Sequence, residues 1–253
     1  MHEYTELSMK SNFTFLKGGS HPEEYARRAI ELGLKSFAIT DENSVSGVVR
    51  AHSELKRIST YKTKRETPLN TRLIPGTEIN TTEGVVITSL AKTRQGWANI
   101  CRLLTEGNLK AKKGSCFVTI DNVLKYGSGT ELILHMPLKS LILGVKPEWM
   151  ELVKKITECF KSTSLFLSPN YDGADTDYFS QTENIARELK IRLVASACPI
   201  MHHGSRRRIL DVLSAIRKKC LIENLGFEAE INAERRMRSP QELKKIFSNY
   251  TDA

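Results

Sequence analysis

Three carboxylates, Asp41, Glu42 and Glu78, each stand just after a run of β-forming residues. Asp41 and Glu42 follow Ser36-Phe37-Ala38-Ile39-Thr40, and Glu78 lies in Pro75-Gly76-Thr77-Glu78-Ile79. Carboxylate oxygens gathered at strand ends suit hard divalent cations such as Mg²⁺ or Mn²⁺, and through them phosphoryl chemistry. Two plainer roles compete. Asp41 precedes Ser44 at the start of a helical pattern and could cap it, and Glu78 could pair with Lys10 across the same face. A two-metal phosphoesterase centre also needs several converging imidazoles or carboxylates, and the sequence contains no His-x-His and no Asp-x-His.

Other reactive side chains stand alone. Cys198 falls at a strand end with no base beside it, so a buried structural thiol is expected. His135, His202 and His203 are in ligand spacing with nothing, and hydrogen-bonded or exposed imidazoles are expected there. No glycine-rich phosphate loop occurs. The five cysteines are widely spaced with no Cys-x-x-Cys pair, which excludes cysteine-rich metal modules. With no secretory signal at the N-terminus, a reducing, cytoplasmic compartment is expected.

Lys and Arg number 38 against 29 Asp and Glu, a formal net charge of +9 that points to an anionic partner. The basic residues cluster at Lys62, Lys64 and Arg65, at Lys110, Lys112 and Lys113, at 206–208 with 217–219, and at Arg235, Arg236 and Arg238. Backbone phosphates need only such point charges on one face, so Arg206, Arg207, Arg208, Lys218 and Lys219 are candidate phosphate or DNA contacts. The plain alternatives are a solvated surface, or pairing with an acidic surface of a following domain. No helix-turn-helix or aromatic stacking platform offers sequence-specific readout.

These groups must be positioned by a fold that the pattern makes α/β. With 40% hydrophobic and 26% charged residues, the chain can bury a sizeable core. No apolar run approaches a membrane span, because the greasiest stretch, 132–145, is cut by His135, Pro137 and Lys139. Strands are expected at 4–7, 36–40, 73–79, 85–90, 132–134, 165–167 and 192–194. Helices are expected over 44–58, 97–104, 147–160, 177–189 and 206–218, with a basic loop at 59–71. Another helix should start at Ser20-His21-Pro22-Glu23, where Ser20 caps and Glu23 closes a capping box, and should stop at Gly33. Strands separated by helices argue for a parallel sheet, open or closed into a barrel, with functional groups at the strands' carboxyl ends. After Leu221 the pattern weakens, apart from a helix start at Ser239-Pro240-Gln241-Glu242. The expected division is therefore a domain over 1–220 and an extension over 221–253.

The run Tyr4-Thr5-Glu6-Leu7-Ser8-Met9-Lys10-Ser11-Asn12-Phe13-Thr14-Phe15-Leu16, with Gly19-Ser20-His21-Pro22-Glu23-Glu24, resembles the opening of the PHP (polymerase and histidinol phosphatase) domain. The likeness continues in order through Ala38-Ile39-Thr40-Asp41, Pro75-Gly76-Thr77-Glu78-Ile79, Gly96-Trp97-Ala98-Asn99-Ile100-Cys101-Arg102-Leu103-Leu104 and Leu210-Asp211-Val212-Leu213-Ser214-Ala215-Ile216-Arg217. It is strongest to the PHP domain of bacterial C-family DNA polymerase alpha subunits of the error-prone type. The resemblance implies a distorted, TIM-like (β/α)₇ barrel. It also implies metal ligands in a His-x-His after the first strand, an Asp-His after the second, a Glu in Gly-x-Glu and a late Asp-x-His.

Matched to those motifs, this sequence has Ser8-Met9-Lys10, then Asp41-Glu42, then Glu78, then Cys198-Pro199-Ile200. Only the Glu and one Asp keep their type. The resemblance therefore implies a vestigial metal pocket of Ser8, Lys10, Asp41, Glu42, Glu78, Cys198 and Ile200, with no catalytic residue and no cofactor in this segment. Lys10 would stand as the counter-charge for a lost cation. The parent polymerase would use Mg²⁺ or Mn²⁺ through carboxylates beyond Ala253, and the partners would be its own polymerase domains and DNA. Two alternatives remain: a working metal-dependent phosphoesterase or 3′-end-processing enzyme, and a stand-alone nucleic-acid-binding module.

Overall fold

The computed structural model describes residues 4–63, 70–137 and 140–250. Helix α1 (Pro22–Glu31) begins where Pro22 fixes the first turn, buries Tyr25, Ala26 and Ala29 on one side, and ends before Gly33 at φ 71°. Its cap lies one residue later than expected. His21 is the N-cap, and its N–H donates to the Glu24 carboxylate at 2.8 Å. Ser20 is drawn away instead to His202, whose backbone N–H it accepts at 2.9 Å.

The next elements are β1 (Ser36–Ile39), α2 (Ser46–Thr63), β2 (Arg72–Asn80), β3 (Val86–Ala91) and α3 (Arg94–Leu109). They are followed by α4 (Ile120–Tyr126), β4 (Thr130–Leu134), α5 (Ser140–Leu143), α6 (Pro147–Cys159) and β5 (Ser164–Leu167). The series ends with α7 (Asp175–Leu189), β6 (Arg192–Ala195), α8 (Arg207–Lys218) and α9 (Pro240–Ile246). Helix α2 runs on through the first part of the expected basic loop, and the cluster's Lys64 and Arg65 lie outside the described residues. Helices α4 and α5 were not legible because each is shorter than the window that shows a helical period.

The six strands form one sheet in chain order. β1·β2, β4·β5 and β5·β6 are parallel, but β2·β3 and β3·β4 are antiparallel, which corrects the all-parallel expectation. The cause is local. Only residues 81–85 join β2 to β3, turning at Gly84 (φ 85°), whose N–H donates to the Thr81 carbonyl at 3.0 Å. A parallel return would need a crossover of about a dozen residues or more.

Ala38, Ile74, Leu90, Ile133, Phe166 and Val194, one from each strand, meet in a single cluster with Leu7, so the sheet curls around its inner face as a half-barrel. The intervening residues face outward. Ile87, Leu132, Leu134 and Leu165 pack against Ile100 and Leu103 of α3 and Val153 and Ile156 of α6. Phe37 and Ile39 pack against α1 and α2, and Leu243 of α9 with Phe247 at its end closes on Phe179 and Leu167. Met237 is buried with the α1–α2 cluster, so the residues after 220 pack on the same body.

The expected strand at 4–7 makes only one bridge, Glu6 to Phe37. Residues 4–10 nevertheless span the two ends of the sheet. The Glu6 and Met9 carbonyls accept from Ala38 and Thr40 at 2.8 and 2.9 Å on the β1 side, and the Lys10 N–H donates to Pro199 at 3.1 Å beyond β6. The Glu6 side chain takes the place of further ladder bonds. It accepts from Tyr4 Oη at 2.8 Å and from the Ala197 N–H at 3.2 Å, and it also holds Ser196 Oγ. Among the described residues no helix is long and apolar enough to cross a membrane.

Candidate functional site at the mouth of the sheet

At the carboxyl end of β1 and β2 the sheet opens into a cavity of about 650 Å³ whose walls include Lys10, Glu42, Glu78, His135, Cys198 and Arg235. Four of the residues expected in the pocket therefore line it, and three do not. Asp41 is fully buried with its carboxylate turned behind the wall. It accepts the Ser11 N–H at 2.7 Å, Ser11 Oγ at 2.8 Å and Thr14 Oγ1 at 2.8 Å. No N–H of α2 is among those partners, so Asp41 fastens the 11–14 turn rather than capping the helix. Ser8 is buried beside Glu6, whose Oε1 accepts its N–H at 3.4 Å. Ile200 packs with Met201 and Leu210, away from the mouth.

The chemistry of the mouth centres on Glu78, which is 2% exposed. Lys10 Nζ is 2.9 Å from Glu78 Oε1 and 3.8 Å from Glu42 Oε1, and Lys17 Nζ is 2.5 Å from Glu42 Oε2. Burial by itself would raise the Glu78 carboxyl, but Lys10 beside it, with help from His135, outweighs burial and holds it below the usual range. For Lys10, burial disfavours the charge, yet Glu78 and Glu42 win and the ammonium is held above its ordinary value. Both groups are charged at neutral pH.

His135, which sequence reasoning left without a role, stands directly across this pair. Its Nε2 is 2.8 Å from Thr88 Oγ1 and 3.6 Å from Glu78 Oε2. Burial pushes it down to about 4, with Glu78 opposing and Lys10 adding to the shift, so it is neutral at pH 7. The signal was available: His135 follows β4 at the position where a strand end meets the mouth. Cys198 lines the same wall at φ 46°, with its Sγ 3.4 Å from Ser196 Oγ. Burial, then the Glu6 charge, pushes its thiol up, so it is not a ready nucleophile. Among the described residues no group of three or more His, Cys, Asp or Glu could hold a metal ion.

The candidate phosphate contacts fare unevenly. Arg206 is paired with Glu24, Arg207 donates to the Glu230 carbonyl at 2.6 Å, and Lys218 is 2.8 Å from Glu228. Arg208 and Lys219 are exposed, with no ion pair among the described residues.

A sheet curled about an apolar layer, with charged groups collected at one mouth, defines the class, and the chain belongs to the PHP domain family, which it matches over residues 6–170. Its relatives are more specific. It is 33% identical to error-prone DNA polymerase 1 of Rhizobium meliloti (strain 1021), over 99% of this chain and 21% of that protein. It is 34% identical to the error-prone DNA polymerase of Sinorhizobium medicae (strain WSM419), with the same two coverages. The chain thus spans about a fifth of the length of these curated relatives. A candidate metal-dependent phosphoesterase from Bifidobacterium adolescentis shares the fold, with a TM-score of 0.54 at 12% identity over 78% of this chain and 88% of that one.

Proposed function

We propose that this chain is the PHP portion of an error-prone DNA polymerase, with a decayed metal site, serving as a scaffold and docking surface in cytoplasmic DNA synthesis and damage tolerance. The observation that carries this is the position of the Lys10 ammonium, 2.9 Å from Glu78, where the family's motif would have an imidazole. A divalent ion a few ångströms from an ammonium is repelled by several kcal/mol even at an effective dielectric of about 20. Asp41 has turned its oxygens to Ser11 and Thr14, and Cys198 and Ile200 stand where the motif would have Asp and His. The donor set does not fit the family's metal cluster, so no hydrolytic step is derived through one. A distorted seven-stranded barrel, mixed rather than all parallel, would be completed here by residues 4–10, which hydrogen-bond to both ends of the six-stranded sheet.

In this reading nucleotidyl transfer, with its Mg²⁺ or Mn²⁺, belongs to the part of the relatives that this chain does not span. The competing reading is a metal-dependent phosphoesterase acting on DNA ends or small phosphate esters through Asp41, Glu42, Glu78 and displaced histidines. Two measurements separate them: the metal content of protein purified without chelator, and Mn²⁺-dependent turnover of p-nitrophenyl phosphate and 3′-ended DNA. We expect neither stoichiometric metal nor turnover. Turnover abolished by Glu78→Gln would overturn the proposal.

A further inference from the structure

Helix α8 is inverted. Its Leu210, Ser214 and Ala215 face the body of the protein, together with polar groups: Arg207 lies 3.8 Å from Asp211, and Arg217 donates to the Leu16 carbonyl at 3.3 Å. Its apolar residues Ile209, Val212, Leu213 and Ile216 recur at i, i+3, i+4 and i+7, the spacing of a stripe that buries itself against a partner. Here Ile209, Val212 and Ile216 point to solvent, while Leu213 at the edge of the stripe packs with Ile200, Met201 and Leu210. Ile209, Val212 and Ile216 are 40%, 41% and 56% exposed, and Leu221 and Ile222 just beyond the helix extend the patch at 66% and 54%. Scattered exposed hydrophobics need no explanation, but a contiguous ridge on the outer face of an amphipathic helix does.

We infer that the outer face of α8 is a docking surface for an acidic amphipathic helix contributed by polypeptide outside these 253 residues. The charges around the ridge select the occupant. Arg208 and Lys219 border it with no ion pair among the described residues, and Arg217 stands on its other flank. A second copy of this chain would bring the same cations against them, on a molecule of net charge +9. A helix with leucine-like residues in the i, i+3, i+4, i+7 pattern and Asp or Glu on both flanks would cover the ridge and neutralise the rim. DNA is the poorer fit: Arg206, Arg207 and Lys218 are engaged within the chain, and the space between the free cations is aliphatic.

The inference rests on the docking role proposed above, yet the two fail separately. Turnover lost in Glu78→Gln would remove that role and leave the behaviour of α8 to be read on its own. The test uses the whole chain and a fluorescent amphipathic peptide with a leucine stripe and glutamate flanks, against a twin with lysine flanks. The acidic peptide should bind at least about tenfold more tightly than its twin, and Val212→Glu with Ile216→Glu should abolish binding while leaving the melting temperature unchanged. Equal binding of the two peptides, or none, would overturn the inference. So would a lowered melting temperature in the double variant, since the stripe would then be covered within the chain. A dimer in light scattering that Ile216→Glu dissociates would name a second copy as the occupant. DNA retention lost in Arg208→Glu, without peptide binding, would name nucleic acid.

Discussion

Lys10 Nζ lies 2.9 Å from Glu78 Oε1, while Oε2 of the same carboxylate has no hydrogen bond and faces His135 Nε2 at 3.6 Å. The carboxylate is thus satisfied on one side only, by a single ammonium that is itself largely buried. Removing one member of a buried pair strands the other. Lys10→Met should cost about 3 kcal/mol, at the lower end of the range for such pairs because Lys10 keeps some exposure. Glu78→Gln in the same background should recover most of that loss. Urea midpoints of the two single variants and the double variant check this, and purely additive losses would show that the pair is not coupled.

His135 makes acid stability a second readout of the mouth. Its folded-state value is depressed from 6.5 to about 4, so between these values the unfolded chain binds the proton that the folded chain refuses. Stability from this group is complete above about pH 6.5 and falls as pH drops towards 4, by roughly 3 kcal/mol in all. Glu78 acts in the same direction at lower pH. Its folded value is held down, so its share is present above the unfolded value and is lost as pH falls through the folded one. The groups facing His135 are Glu78, Lys10, Thr88 and the ring of Phe166. His135→Asn should flatten the profile between pH 6.5 and 4 in a urea series, and an unchanged slope would place the effect elsewhere.

How much of this was legible depends on the range of the interaction. The strand-then-carboxylate pattern located β1, β2, Glu42 and Glu78 because a short run of β-forming residues is written in adjacent positions. The antiparallel turn at Gly84 was present in the sequence, but its weight lay in the shortness of 81–85, which an alternation of strands and helices does not register. The direction of Asp41 was beyond reach, since it is set by Ser11 and Thr14, some 30 and 27 residues away. The same holds for Ser20, taken from its expected cap by His202, 182 positions later. Hydrogen bonds of that separation leave no periodic trace.

Asp41 and Gly47 provide a third test, of packing rather than charge. A methyl group at Gly47 would overlap Asp41 Oδ2 and stand 3.0 Å from Ile39 Cγ2, and Oδ2 is fixed by Ser11 Oγ at 2.8 Å. Gly47→Ala should therefore destabilise by about 1–3 kcal/mol although Ala favours helix, the usual sign being reversed by the clash. Asp41→Ala alone should also destabilise, by freeing the donors of the 11–14 turn. Combined, the two should cost less than their sum, because the carboxylate that the added methyl meets is gone. Thermal melts of the three variants measure the coupling.

Glu6 joins the two ends of the sheet through its side chain, and it should be the most sensitive polar residue outside the mouth. It is 2% exposed, and its oxygens serve Tyr4 Oη, Ser196 Oγ and the N–H groups of Ser8 and Ala197. Burial raises its carboxyl above the ordinary range, while those donors pull it back. Glu6→Ala leaves several buried donors unpaired at once, each costing roughly 1–3 kcal/mol, so the loss should exceed that of Ser196→Ala, which removes one. Glu6→Gln keeps one acceptor oxygen in the same shape and should be milder than Glu6→Ala, but not neutral, because its amide N–H₂ faces a backbone donor, Ser8 or Ala197, on either side. Hydrogen exchange gives the decisive readout. In Glu6→Ala, protection should fall at the amides of Ala38, Thr40 and Lys10, where residues 4–10 meet β1 and the chain after β6, and persist in β3 and β4. Uniform loss across all six strands would mean that Glu6 supports the whole sheet rather than its closure.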